Sequence, residues 1–397
     1  MPAYKSQYHG LITIIALMTM IGPFTIDSYL PSFPDIEAEF NISRAILSHS
    51  LGAYLIAFAF ATLVFGPLAD KFGRKGVILI SLLIYLAASI GCALSNDYSS
   101  FIFYRLMQGM AAAGGLVAGR AIIRDVFNPQ DAHHAMSKIM MLFAIAPAIA
   151  PVIGGWLHDW FGWHSVFYFL ALYAFFVFFL VYLYVPETLD KTHRQSIHPM
   201  NVARVYGRTL THRRFLTLVL IVACYFAGLF LYIVGAPTVI FDFLNLGTND
   251  FAVLFVPMVC GLILGSWLSS RLAHRWPINK TIKLALVLMS IGTVMNISQA
   301  YWLTPSIVST VVPLTLYTCG IGIAMPAMTV LALDCFPKNR GTASALQGFM
   351  QMMGNATIAS VAVPLLSLEV LNFAIVQFIL FTLALLLWWM LPAVTNN

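Results

Sequence analysis

The sequence predicts an all-α membrane protein with twelve transmembrane helices in two pseudo-symmetric six-helix bundles. Three observations lead there. Of 397 residues, 60% are hydrophobic and only 9% are charged, and the mean hydropathy is strongly positive. A soluble domain needs about a quarter of its residues charged to cover its surface, so this chain must be solvated largely by lipid. The apolar residues also fall into runs of about 20, the length of helix that crosses a bilayer. Finally, positive charge gathers between alternate runs, as it does in cytoplasmic loops.

The runs span 11–30, 49–67, 77–94, 101–123, 139–157, 165–184, 215–234, 251–272, 282–301, 306–331, 342–366 and 371–391. With the N-terminus cytoplasmic, Lys71, Arg74, Lys75, Arg124, Lys138, Lys191, Arg194, Arg204, Arg208, Arg213, Arg214, Arg271, Arg275, Lys280, Lys338 and Arg340 fall on one side. The opposite loops hold Asp35, Glu37, Glu39, Asp97, Asp159, Asp242, Asp250 and Glu369, with Arg44 the only base. A missed helix would scramble that separation, so both termini are expected in the cytoplasm. The one long connection, 186–214, is basic and divides an N-terminal bundle (1–185) from a C-terminal bundle (215–397). The halves echo each other: Leu68, Lys71 and Lys75 correspond to Leu268, Arg271 and Arg275, and Asp125-Val126-Phe127 to Asp334-Cys335-Phe336. Repeated halves are a transporter plan, with substrate expected near the bilayer midplane between them.

Taken in chain order, the first run contains Asp27. A carboxylate in hydrocarbon is costly unless it faces a cavity or a partner, and desolvation disfavours its charged form. Proton or substrate handling is one reading; a solvated residue at the outer helix end, before Pro31 and Pro34, is the other. Between the second and third runs, Gly66-Pro67-Leu68-Ala69-Asp70-Lys71-Phe72-Gly73-Arg74-Lys75 reads as a short polar turn. Gly66 is expected to let a neighbouring helix approach. Asp70 is placed to pair with an arginine or a helix N-terminus. Its counterpart in the second half is Ser270, so any gate built on the acid is asymmetric.

The fourth run carries Arg105, whose burial requires acceptors; Asp27 and Gln108 are candidates. Arg120, Arg124 and Asp125 are expected to form an ion-pair cluster at the inner face. In the fifth run, Pro147 and Pro151 remove helical hydrogen bonds, and Gly154 and Gly155 permit tight packing. The second half has no acid or base well inside a helix. Gln347, Gln351 and Asn355 recur every four residues on one face of the eleventh run, and a polar stripe should line a cavity or bridge helices. With Tyr29, Gln108, Tyr225, Phe226 and Phe230, they are the expected substrate-cavity residues. Apolar walls with a few amides suit small amphipathic molecules of varied shape.

Several motifs carry a resemblance. The decapeptide resembles the loop between the second and third helices of the major facilitator superfamily, matching at Gly66, Leu68, Ala69, Asp70, Gly73, Arg74 and Lys75. Arg105-x-x-Gln108-Gly109 resembles that superfamily's fourth-helix motif, in which the arginine is implicated in proton transfer. The 147–155 stretch is similar to the antiporter motif Gly-x-x-x-Gly-Pro-x-x-Gly-Gly. Pro151, Gly154 and Gly155 match it, while Ala146 and Ala150 replace two glycines. Ile26-Asp27-Ser28-Tyr29-Leu30-Pro31, Arg124-Asp125, Phe161-Gly162-Trp163-His164, Pro186-Glu187-Thr188-Leu189 and Gly341–Leu346 resemble the bicyclomycin/chloramphenicol-resistance (Bcr/CflA) branch of drug:proton antiporters. The resemblance implies a major facilitator fold. It also implies a monomeric, multi-pass exporter in a bacterial inner membrane, driven by the proton gradient and needing no cofactor. Asp27 and Arg105 would couple protons. Gly66, Asp70, Arg74, Arg120, Arg124, Asp125, Pro147, Pro151, Gly154 and Gly155 would shape the inner gate.

Other classes fit poorly. The net charge of +6 is spread through loops rather than gathered for nucleic acid. Cys92, Cys224, Cys260, Cys319 and Cys335 lack metal-ligand spacing, as does the adjacent pair His133-His134. No membrane-enzyme constellation converges at one depth. The first run lacks a cleavage site and is expected to remain as a helix. A dedicated exporter of one endogenous metabolite or metallophore remains as an alternative cargo.

Overall fold

A computed structural model describes residues 2–189, 206–207, 209–273, 275–336, 340–366 and 369–391. Most of the expected 186–214 connection therefore lies outside the described residues. Among the described residues, twelve helices are long and apolar enough to cross a membrane. Contacts divide the chain into two compact units, Met1–Pro199 and Met200–Asn397.

The first unit contains α1 (Pro2–Asp27), α2 (Phe33–Phe40), α3 (Arg44–Phe72), α4 (Arg74–Ala93), α5 (Tyr98–Val126), α6 (Pro129–Phe161) and α7 (His164–Tyr184). The helix expected to reach Leu30 stops at Asp27 instead. Pro31 sits in a 3₁₀ turn, Leu30–Ser32, and α2 then forms a short amphipathic extension ending at Asn41 in the left-handed region (φ 52°). The decapeptide also folds differently from the turn expected. Gly66–Phe72 are the last turns of α3, which runs through Pro67, and the reversal is made by Gly73 alone at φ +99°. A side chain would be strained there.

The second unit contains α8 (Arg213–Val234), a π-helical stretch (Thr238–Phe243), α9 (Phe251–Ala273), α10 (Ile278–Trp302), α11 (Ile307–Asp334), α12 (Arg340–Thr357) and α13 (Val370–Trp389). A second π-helical segment, Ile358–Ala362, extends α12 so that its span reaches Leu366.

The same pairings recur in each unit. In the first, α5 packs on α3 and α4, α4 on α7, and α1 on α5, α6 and α7; in the second, α11 packs on α9 and α10, α10 on α13, and α8 on α11, α12 and α13. Each unit thus buries its own core around its first and fourth spans. Large apolar side chains such as Leu172, Phe176, Val256, Leu264 and Leu386 remain exposed on the spans, as lipid-facing residues do.

Candidate functional site: a polar pocket in the first unit

Asp27 ends α1, but it is not the solvated helix-end residue of the alternative reading. It is 2% exposed, and its Oδ1 is enclosed without a hydrogen-bond partner. Helix α6 closes over it. A Cβ on Gly154 would collide with the Ser28 backbone carbonyl, so only glycine lets α6 lie against the residue after Asp27. Gly155, Ala150 and Pro151 are buried on the same helix, which runs unbroken through Pro147 and Pro151. Each proline leaves the carbonyl four residues before it without its helical donor.

Arg105 is fully buried on α5 and enclosed by rings. Its guanidinium carbon lies 4.4 Å from the Tyr29 ring centre, 4.9 Å from Tyr54 and 6.0 Å from Phe167. Aromatic faces attract a cation without neutralising it. Nη1 donates to Gln108 Oε1 (2.8 Å) and to the Thr25 carbonyl (3.3 Å), while Nε and Nη2 have no partner. Of the two acceptors expected, the structure supplies Gln108 and not Asp27, which forms no ion pair with Arg105 within 4.0 Å.

Gln108 and Tyr29 also differ from the cavity-lining role expected. Both are fully buried and engaged within this unit. Gln108 donates to Ser89 Oγ (2.8 Å) and accepts from Cys92 Sγ (3.6 Å), so both ends of its amide are fixed. The Tyr29 hydroxyl meets Ser50 Oγ at 3.0 Å. Thr25, whose own hydroxyl donates to Ile21, receives a hydrogen bond from Tyr85 at 2.5 Å. Together these groups make a tightly organised shell around one cation, with one carboxyl nearby.

At the other end of the unit, Arg74 (8% exposed) is the hub of the decapeptide. It pairs with Asp70 at 2.6 Å and with Asp125 at 3.1 Å. The expected grouping of Asp125 with Arg120 and Arg124 is not formed; neither arginine makes an ion pair within 4.0 Å among the described residues, because Asp125 is taken by Arg74. Gly66 is not a close-approach glycine either: an added Cβ would meet only Val117 Cγ1, at an ordinary 3.9 Å.

Sequence reasoning missed Glu187, singled out only within a family-like tetrapeptide. Its carboxylate accepts from the backbone N–H groups of Arg74 (2.9 Å) and Lys75 (3.2 Å), capping α4 where Gly73 offers no side chain. Thr188 donates to Asp125 Oδ2 at 3.1 Å. The available signal was an acid directly after a spanning helix on the basic side of the chain.

The second unit holds neutral counterparts. Gln347 donates to Thr329 Oγ1 (2.9 Å), bridging α12 to α11. Asn355 is buried with Oδ1 unpartnered, and Gln351 between them is half-buried. Tyr225 and Phe230 are buried, and Phe226 is half-buried. Asn296 and Gln377, not anticipated, are buried too. Asn296 donates to Tyr232 Oη (2.6 Å) and to Gln377 Oε1 (2.7 Å), tying α8, α10 and α13 together. A cavity of about 20 Å³ adjoins them among Tyr232, Gln299 and Phe373, large enough for roughly one water.

Twelve spans in two repeats of six, with an enclosed carboxyl and cation in the first repeat, define a polytopic transporter rather than an enzyme. The sequence matches the Major Facilitator Superfamily over residues 15–359, and the chain belongs to that family. It is 29% identical to the MFS-type transporter YdgK of Bacillus subtilis, covering 91% of this chain and 89% of the relative. It is 27% identical to a bicyclomycin resistance protein homolog of Haemophilus influenzae, covering 90% and 89%. Among solved structures, the fold resembles the xylose transporter XylE of Escherichia coli in a partially occluded inward-open conformation (TM-score 0.77, 13% identity, 99% of each chain).

Proposed function

We propose that this protein is a proton-coupled exporter of small amphipathic compounds, working by alternating access as a monomer in a bacterial inner membrane with both termini cytoplasmic. The carrying observation is the polar interior of the first unit: Asp27 and Arg105 are both buried there with unpartnered polar atoms, and no ion pair joins them. Protonation of Asp27 changes the charge of this pocket by one unit, and a substrate whose binding senses that charge is thermodynamically linked to the proton. Arg105, held by Gln108 and the aromatic rings, gives the pocket a fixed positive field that Asp27 either offsets or does not. The second unit contributes only neutral amides and hydroxyls to its buried interior among the described residues, which suits uncharged or amphipathic cargo. The bicyclomycin-resistance relative supports drug-like cargo, and the charge separation along the chain supports the orientation.

The test is transport by purified protein in liposomes under an imposed pH gradient, across a compound panel. Asp27→Asn should abolish uphill export. Binding of an uncharged substrate should survive in it, because an amide still hydrogen-bonds, and should lose its pH dependence. Full gradient-driven export by Asp27→Asn would remove Asp27 from the mechanism. A panel in which one metabolite alone is carried would replace broad export with a dedicated one.

A further inference from the structure

The Trp163-His164 pair and helix α2 have no part in the transport cycle above, yet they meet at the end of the first unit opposite Gly73. Two histidines from different elements each face a carboxylate of the same short helix. His158 Nε2, on α6, lies 3.5 Å from Asp35 Oδ2, and His164 Nε2, at the start of α7, lies 3.5 Å from Glu39 Oε1. Trp163 Nε1 donates to the other oxygen of Glu39 at 2.7 Å, and its ring stacks on His164 at 3.8 Å. The third acid of α2, Glu37, is held by Arg44 at 2.8 Å.

We propose that His158 and His164 form a second proton-binding site, a clamp that ties α2 to α6 and α7 when the imidazoles are protonated. Imidazoles as a class change charge between about pH 5 and 8. A charged imidazole beside a carboxylate gains an attraction that the neutral ring lacks. The surrounding charges leave this effect standing. Besides Glu37 and Arg44, Asp159 follows His158 on α6, and Asp97 at the start of α5 is occupied by the Ser100 backbone and hydroxyl. His49 on α3 turns its Nδ1 to the Ile46 carbonyl at 3.2 Å. Arg44, already paired, is the base of this group. His158 Nδ1 is enclosed without a partner, so His164, which is 41% exposed, carries the larger share of the response.

The clamp also reaches toward Asp27. His158 lies one helical turn beyond Gly154, and Gly154 rests on the Ser28 backbone next to Asp27. Drawing α2 onto α6 therefore fastens the chain on both sides of the 3₁₀ turn that follows Asp27. The inference goes beyond the transport reading, since these protons bind whether or not Asp27 carries one.

Hydrogen exchange of the amides of 33–40 tests the clamp in the purified full chain, at pH 8 and about pH 5.5, corrected for intrinsic exchange. Partly exposed pairs of this kind give roughly 1.4- to five-fold each, so with two pairs exchange should slow by about two- to twenty-five-fold at the lower pH. His164→Gln should remove most of that step, His158→Gln a smaller part, and the double variant all of it. Asp27→Asn should leave it intact, which separates failure of the clamp from failure of the transport reading. No step in the wild-type protein, or a full step in the double histidine variant, would overturn the proposal. So would a step lost only in Asp35→Asn, which would assign the titration to the carboxylate alone.

Discussion

Replacing Gly154 with alanine adds one methyl group where α6 crosses the backbone beside Asp27. The new Cβ would overlap the Ser28 carbonyl oxygen and stand 2.6 Å from its carbon, whereas ordinary contact begins at 3.4 Å. The helix or the segment after Asp27 must therefore retreat by more than about 0.8 Å, the shortfall at the carbon alone, because the oxygen stands nearer still. The obstacle is backbone, which has no rotamer to change, so the cost belongs near the top of the ~1–3 kcal/mol range for overpacking. Alanine's higher helix propensity returns about 1 kcal/mol, leaving a net loss of about 2 kcal/mol by these two figures. Gly22→Ala is the internal control. It lies inside α1 with nothing within 4 Å of an added Cβ, so only the propensity gain remains. Thermal melting of purified variants should thus move in opposite directions: down for Gly154→Ala and unchanged or up for Gly22→Ala. Gradient-driven transport should fall in Gly154→Ala alone. If Gly154→Ala melts at or above Gly22→Ala, the close approach of α6 is not a constraint on the fold, and the reasoning is wrong.

Glu187→Ala should free the first amides of α4 at a cost of about 1 kcal/mol, typical of a lost cap, seen as roughly five-fold faster hydrogen exchange at Arg74 and Lys75 by that figure. Gln377→Leu strands one donor of Asn296 and should destabilise by about 1–3 kcal/mol, while the double variant with Asn296→Leu should recover much of the loss, because two removed partners leave nothing unsatisfied between them. Melting temperatures of the three variants decide it. Asp97 is exposed, and hydrogen bonds from the Ser100 backbone and hydroxyl hold its carboxyl below the usual carboxylate range. Its contribution is therefore present above the unfolded-state value and is lost as pH falls through the lowered folded value. The difference in melting between wild type and Asp97→Ala should shrink from neutral pH toward about pH 3.

The spans were legible because hydrocarbon imposes one rule on every segment: a run long enough to cross, with its backbone satisfied internally. The boundaries were less legible. Charged ends such as Arg44 and Lys71 are helical but polar, so α3 extends beyond its apolar run, and the turn after it contracts to Gly73. Asp27 and Arg105 stood out by charge alone, as did Asp70 and Arg74. Their partners did not, because partnership depends on which helices cross. Asp125 was read with its sequence neighbours and pairs with Arg74, 51 residues away. Tyr54, Tyr85 and Ser89 look like ordinary residues of apolar runs until α3, α4 and α5 bring them around one guanidinium. Amides such as Asn296 and Gln377 carry no charge, and their 81-residue separation gives no local pattern to read.

The buried charged side chains of the described residues, Asp27, Arg74 and Arg105, all belong to the first unit, whereas the second unit buries only neutral polar groups. The two units repeat each other in helix pairing and yet are electrically unlike. A transmembrane voltage does work only on charge that moves through it, about 2.3 kcal/mol per elementary charge per 100 mV. The interior of the second unit is therefore a dielectric to that field, and the interior of the first is its handle. Current recorded from this protein as it cycles would report charge moving in the interior of the first unit, while the neutral interior of the second would pass electrically unseen.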